Sequence, residues 1–137
     1  MSAQKNNIAN NIFPKGEKAS SDYFTGTAWV NILVPKDETG TYSIGNVVFE
    51  PGCRNNWHTH PAGQTLIVLD GEGWYQEKGK EARAIKKGDV VVIPSDVVHW
   101  HGASMDKSLT HLAITNAKDG GVKWLQPVTD EEYANVS

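Results

Sequence analysis

Five histidines, all between His58 and His111, are the residues of this chain best suited to carry chemistry. Four of them form two His-x-His pairs, His58/His60 and His99/His101, and Gln64 follows the first pair by four positions. Alternate side chains of a strand share a face, so His58 and His60 point one way while Trp57 and Thr59 point the other. The same alternation puts His99 and His101 together, with Trp100 opposite. Pro61 and Gly63 bend the chain before Gln64, which opens the next strand and can fold back toward the two imidazoles. His111, in "LTHLAIT", shares a face with Ala113 and Thr115. An isolated strand histidine is ordinarily a hydrogen-bonded or exposed side chain. Two pairs in one short β-rich chain make a metal ion the sharper reading. Imidazoles and an amide oxygen suit Mn, Fe, Ni, Co or Zn.

The elements that must hold these side chains are strands. The 137 residues, 39% apolar and 21% charged, are one globular domain's worth. Residues 1–20 are Asn- and Lys-rich and read as a flexible arm, or as a strand ordered only against a partner subunit. Residues 21–137 read as a single domain. From "FTGTAWVNILV" onward, strand patterns alternate with turns. "YSIGNVVFE" leads to the turn "PGC"; "QTLIVLD" and "GWYQEK" form two runs joined through "GEG"; "EARAI" leads to "KKGD". "DVVVIP" and "SLTHLAIT" complete the set. Turn signals at such short intervals indicate an all-β sandwich or barrel. In "TDEEYANV", Thr129 and Glu132 stand at capping-box spacing, which predicts a short C-terminal helix.

Composition narrows the function classes. Cys53 is the single cysteine, so an internal disulfide and a thiolate-rich metal site are both excluded; it reads as a small packing residue. The net charge of −3, with both signs interspersed, gives no case for nucleic acid or an anionic membrane as partner. No apolar run is long enough to cross a bilayer, and the polar N-terminus lacks a secretory signal, so a cytoplasmic location is expected. Trp74, Trp100 and Trp124 read as core or interface residues, "EKGKEARAIKKGD" as a solvated charged hairpin and Asp96 as a turn residue.

Two longer patterns add a resemblance. Gly52-x5-His58-x-His60-x3-Gln64-x6-Gly71 resembles the first cupin motif, and Gly88-x5-Pro94-x-Asp96-x2-His99 resembles the second. The resemblance spans Val47 to Ile114 and implies a jelly-roll β-barrel with a metal held inside. Gln64 stands where the motif usually has Glu, Asp96 where it has Gly, and Ala103 where it has Asn. "YFTGTAWV", "FEPGCRNNWHTHPAGQTLIV", "GDVVVIPSDVVHWHGAS" and "THLAI" are similar to the small bacterial manganese cupins that include hydroxynitrile lyases. That resemblance implies His58, His60, Gln64 and His99 as ligands of a divalent ion, Mn first among the candidates. It implies His111 as the proton-transfer residue, and Asn55, His101, Thr115 and Val47 as substrate-binding positions. Lyases of the group have a small hydroxylic residue at the position of Asn55 and Gln at that of Thr115. The activity implied is cleavage or formation of a C–C bond in cyanohydrins or related 2-hydroxy compounds. A metal-dependent dioxygenase and a non-catalytic metabolite-binding cupin are the alternatives. Cupins commonly pair, so a homodimer or higher homo-oligomer is expected, with a small molecule as the substrate.

Overall fold

The computed structural model describes residues 12–136. In chain order its elements are β1 (Glu17–Lys18), β2 (Phe24–Thr25), β3 (Ala28–Val34), α1 (Lys36–Thr39), β4 (Tyr42–Phe49), β5 (Arg54–Asn55) and β6 (His58–Thr59). There follow β7 (Gln64–Glu77), β8 (Arg83–Lys86), β9 (Val90–Ile93), β10 (His99–Ala103), β11 (Leu109–Asn116), β12 (Lys123–Trp124) and α2 (Asp130–Val136). The described part of the expected arm includes β1, which pairs with Trp29 and Val30 of β3; residues 1–11 lie outside the described residues.

The strands curl into an antiparallel jelly-roll barrel whose two sheets share β7. The first sheet runs β1-β3-β4-β11-β7-β9, using Gln64 to Gly71 of the shared strand. The second runs β8-β7-β10, using Glu72 to Glu77, and continues through β5 and β6 to β2 and β12. The expected break at "GEG" is therefore absent, and the two runs form one strand of 14 residues. Glycine makes this possible. Gly71 has a φ of 83°, and a Cβ there would collide with the Ser108 carbonyl. At Gly73 a Cβ would strike the Gly102 carbonyl. The chain bends from one sheet into the other without leaving the ladder.

Alternation sorts the side chains as the periodicity predicts. Inside the barrel, Phe49, Leu66, Val68, Tyr75, Ile85, Val91, Ile93 and Leu109 form the main core. Outside the second sheet, Trp57 and Trp100 pack with Val128 and Tyr133 beneath α2. The predicted capping box is formed: the Glu132 amide donates to Thr129 Oγ1 at 3.0 Å, and the Thr129 amide donates to Glu132 Oε1 at 2.9 Å. Buried Arg54 anchors this C-terminal segment by donating to the Val128 carbonyl and to Asp130, and it lies over the Tyr133 ring. Asp96 has a φ of 63°. The left-handed turn favoured by the motif's glycine is kept, because Asp tolerates that region better than most residues. Cys53 is fully buried, and burial pushes its thiol up to about 12, as suits a packing residue.

Candidate metal centre

Three of the five histidines meet inside the barrel. The ligating atoms of His58, His60 and His99 all lie within 4.8 Å of one another, and the three side chains are buried. Adjacent strands bring them together, with His58 on β6 directly opposite His99 on β10. Each of these two rings is oriented by a carbonyl two residues earlier. His58 Nδ1 donates to Asn56 O at 2.7 Å, and His99 Nδ1 donates to Val97 O at 2.8 Å. In both rings this leaves Nε2 as the free lone pair, the arrangement that ligating histidines use.

Gln64 joins the cluster from the first residue of β7. Its Nε2 donates to Thr115 Oγ1 at 2.9 Å, across the register of β7 and β11. Its Oε1 is buried without a hydrogen-bond partner, as are both ring nitrogens of His60 and Nε2 of His99. Buried polar atoms are nearly always satisfied, because leaving one bare costs about 1–3 kcal/mol. A divalent cation would satisfy the lone pairs of Gln64 Oε1, His99 Nε2 and one His60 nitrogen together, so this donor set fits a metal ion.

Electrostatics agree with that fit. Burial lowers the pKa of all five histidines below the ordinary value, with neighbouring imidazoles adding to the effect at His58, His60 and His101. His60 and His111 reach about 4. The rings are therefore neutral near pH 7, the state a metal requires of them. Glu77 stands opposite His99 on the same face, but its carboxylate accepts from Tyr75 Oη at 2.7 Å and pairs with Lys80 at 3.1 Å.

His101 and His111 form a second group beside the first. His111 Nε2 and His101 Nδ1 are 3.1 Å apart, and both rings are buried. Asn55 Oδ1 accepts from the His101 backbone amide at 3.0 Å, and its Nδ2 lies 3.3 Å from the His101 ring nitrogens. Phe49 packs on both rings, with centroids 5.7 Å from His101 and 5.3 Å from His111. Val47 pairs in register with His111 and packs against the main core. Of the residues singled out from the sequence, Asn55, His101, His111 and Val47 thus group around the imidazole pair, while Thr115 touches Gln64. Phe49, Tyr75 and Trp124 also contact site histidines. They were not singled out for the site, because each reaches it through the folded barrel and carries no motif of its own.

A barrel with a histidine cluster able to hold a divalent ion defines the class, and the chain belongs to the cupin family: the cupin domain matches residues 45–115. It is 45% identical over 117 residues to a protein of Granulicella tundricola named (R)-mandelonitrile lyase, covering 85% of this chain and 89% of that one. It is also similar to the crystal structure of a cupin-like protein from Thermotoga maritima. That match has 51% identity and a TM-score of 0.90, over 93% of this chain and 97% of the other. A DMSP lyase from Ruegeria pomeroyi shares the fold, with a TM-score of 0.63 and 19% identity over 88% of this chain and 62% of that one. Among the described residues, no helix is long and apolar enough to cross a membrane.

Proposed function

We propose that this chain is a metal-dependent lyase that cleaves, and in reverse forms, the C–C bond of cyanohydrins or related 2-hydroxy compounds. His58, His60, Gln64 and His99 hold the ion, with Mn the first candidate. The observation that carries the reading is the His101–His111 pair, buried beside an uncharged ligand set. The similarity to a protein named as a mandelonitrile lyase supports it.

Bound there, a divalent ion supplies Lewis acidity toward a substrate oxygen, undiluted by a carboxylate ligand. The chain's own residues supply proton handling. In cleavage the substrate hydroxyl loses its proton as the carbonyl forms; the electrons of the C–C bond leave with the cyanide, which takes up a proton. His111, neutral near pH 7, accepts the first proton and returns it to the leaving anion. His101, hydrogen-bonded to it, fixes its ring and shares that proton. Asn55 steadies His101 and offers an amide to the substrate's oxygen or nitrile, and Val47 gives His111 an apolar neighbour. Thr115 acts on this site through Gln64, turning the amide oxygen inward.

The test is elemental analysis of protein purified without chelator, alongside His58→Ala, followed by cyanohydrin cleavage and oxygen-uptake assays. Near-stoichiometric Mn that is lost in the variant, with cleavage and no O₂ consumption, is the expected result. Substrate-dependent O₂ uptake would replace the lyase with a dioxygenase, and binding without turnover would replace it with a metabolite-binding cupin. We also infer that copies of the chain associate as a homodimer or higher homo-oligomer; light scattering of the purified protein tests this.

A further inference from the structure

Of the residues assigned to the metal, His58 sits on a strand of only two residues. That strand is held on one side by β10, where His99 faces His58, and on the other by β12, where Trp124 faces it. Paired residues of an antiparallel ladder project to the same side. Trp124 therefore stands next to His58 on the inner face of the sheet. Their ring centroids are 4.8 Å apart at an interplanar angle of 37°. Tyr23 stacks on Trp124 at 4.7 Å and 17°, and Phe24 flanks it at 6.2 Å and 56°. The backbone around Trp124 is fixed as well: the Leu125 amide donates to Trp57 O at 2.8 Å, and the Trp57 amide donates to Gln126 O at 3.0 Å.

An imidazole on so short a strand has two side-chain torsions to settle before its lone pair aims at a fixed point. The bond from Nδ1 to the Asn56 carbonyl selects the tautomer and opposes rotation of the ring about its own axis. It leaves the swing of the whole ring about the first torsion. A large flat side chain beside the imidazole, itself backed by a stacked tyrosine, restricts that swing.

We infer that Trp124, backed by Tyr23, is a positioning residue that holds the His58 imidazole in its ligating orientation. The inference rests on the reading of His58, His60, Gln64 and His99 as a metal site. Its chemical consequence is an affinity gain, since His58 need not be ordered at the moment of binding. Groups that orient ligating histidines typically contribute about 10–100-fold to metal affinity.

The experiment titrates metal-free protein with Co²⁺, reading affinity and the visible absorption band that reports ligand geometry. The parent is compared with Trp124→Ala, Trp124→Phe, Tyr23→Ala, His58→Ala and Trp29→Ala, each checked for folding by circular dichroism. Trp29 is the control for lost aromatic packing, being on the first sheet with its Nε1 donating to Glu50 at 2.7 Å. Trp124→Ala is expected to weaken Co²⁺ binding about 10–100-fold and to alter the band, while Trp124→Phe stays within about threefold of the parent. Tyr23→Ala is expected to weaken binding by a smaller factor, and Trp29→Ala to leave it as in the parent. Folded Trp124→Ala protein that binds Co²⁺ within about twofold of the parent, with an unchanged band, overturns the inference. Should Trp124→Ala fail to fold, the half-exposed Tyr23 decides: unchanged affinity and band in Tyr23→Ala overturn the inference, and weakened binding with an altered band supports it. If His58→Ala binds Co²⁺ like the parent, it is the metal-site reading that has failed.

Discussion

In the proposed lyase site His111 and Gln64 carry the distinguishing chemistry, and each can be changed without dismantling it. His111 touches His101 and Phe49 but is outside the His58, His60 and His99 cluster. His111→Ala is therefore expected to keep its metal and to lose about 10²–10⁴-fold in cleavage rate, the range for a positioned acid–base group. Elemental analysis paired with a cyanohydrin assay checks both halves, and unchanged turnover would remove His111 from the mechanism. As a proposed ligand, Gln64 sets how much charge the metal would keep. With three neutral imidazoles and a neutral amide, a divalent ion keeps its full charge, and oxidation to the trivalent state is harder than with a carboxylate ligand. Gln64→Glu is expected to lower the reduction potential of the bound ion, measurable by redox titration; a potential that stays or rises contradicts the charge reasoning. Thr115 enters at this scale too, because its hydroxyl accepts from the Gln64 amide. Alternation placed His111 and Thr115 on one face, but only the β7–β11 register shows that Thr115 meets Gln64.

At the scale of elements, the bend in β7 is the device that brings Gln64 into one sheet and Tyr75 into the other. Gly71→Ala must accept a positive φ and move the Ser108 backbone aside. The expected loss is about 2–4 kcal/mol, combining a left-handed penalty with a steric one. Urea unfolding at neutral pH measures it, and a loss below about 1 kcal/mol would mean that the bend is plastic. This same feature shows where reading the sequence falls short. Glycine pairs signal breaks and bends alike, and only the neighbouring carbonyls decide between them. Where a period or a cap sets the structure, the reading was sound: the His-in, Trp-out alternation at Trp57–His60 and His99–His101, and the Thr129–Glu132 capping box, are both formed. The meeting of His58, His60 and His99 could be read in outline because one His-x-His pair supplies two of the three and the second pair supplies His99. Trp124 could not, because β12 reaches β6 from far along the chain and a two-residue strand has no periodicity to detect.

For the whole molecule, burying five neutral histidines ties stability to pH. Unfolded histidines take up a proton near pH 6.5. Folded His60 and His111 stay neutral down to about pH 4. Between those values the unfolded chain binds more protons, so stability rises with pH. The slope is about 1.4 kcal/mol per pH unit for each such histidine. That stability is complete above about pH 6.5 and is lost as the pH falls through 4. Thermal unfolding of metal-free protein at pH 4.5, 5.5 and 7.5 should show the midpoint climbing and then levelling off. A midpoint flat across that window would mean that the rings are charged or solvated in the folded state. Added metal should sharpen the dependence, because protons and the ion compete for the same nitrogens.

The shared strand has a consequence for how the barrel comes apart. β7 is hydrogen-bonded to β11 and β9 through one half and to β10 and β8 through the other. Neither sheet can open without stripping one length of the same backbone, so the two layers form a single cooperative unit rather than separable foldons. Amide hydrogens along β7 should then be the last to exchange with solvent, on both sides of the bend and at closely similar rates. β1, β2 and β12, each two residues long and at a sheet margin, should exchange first.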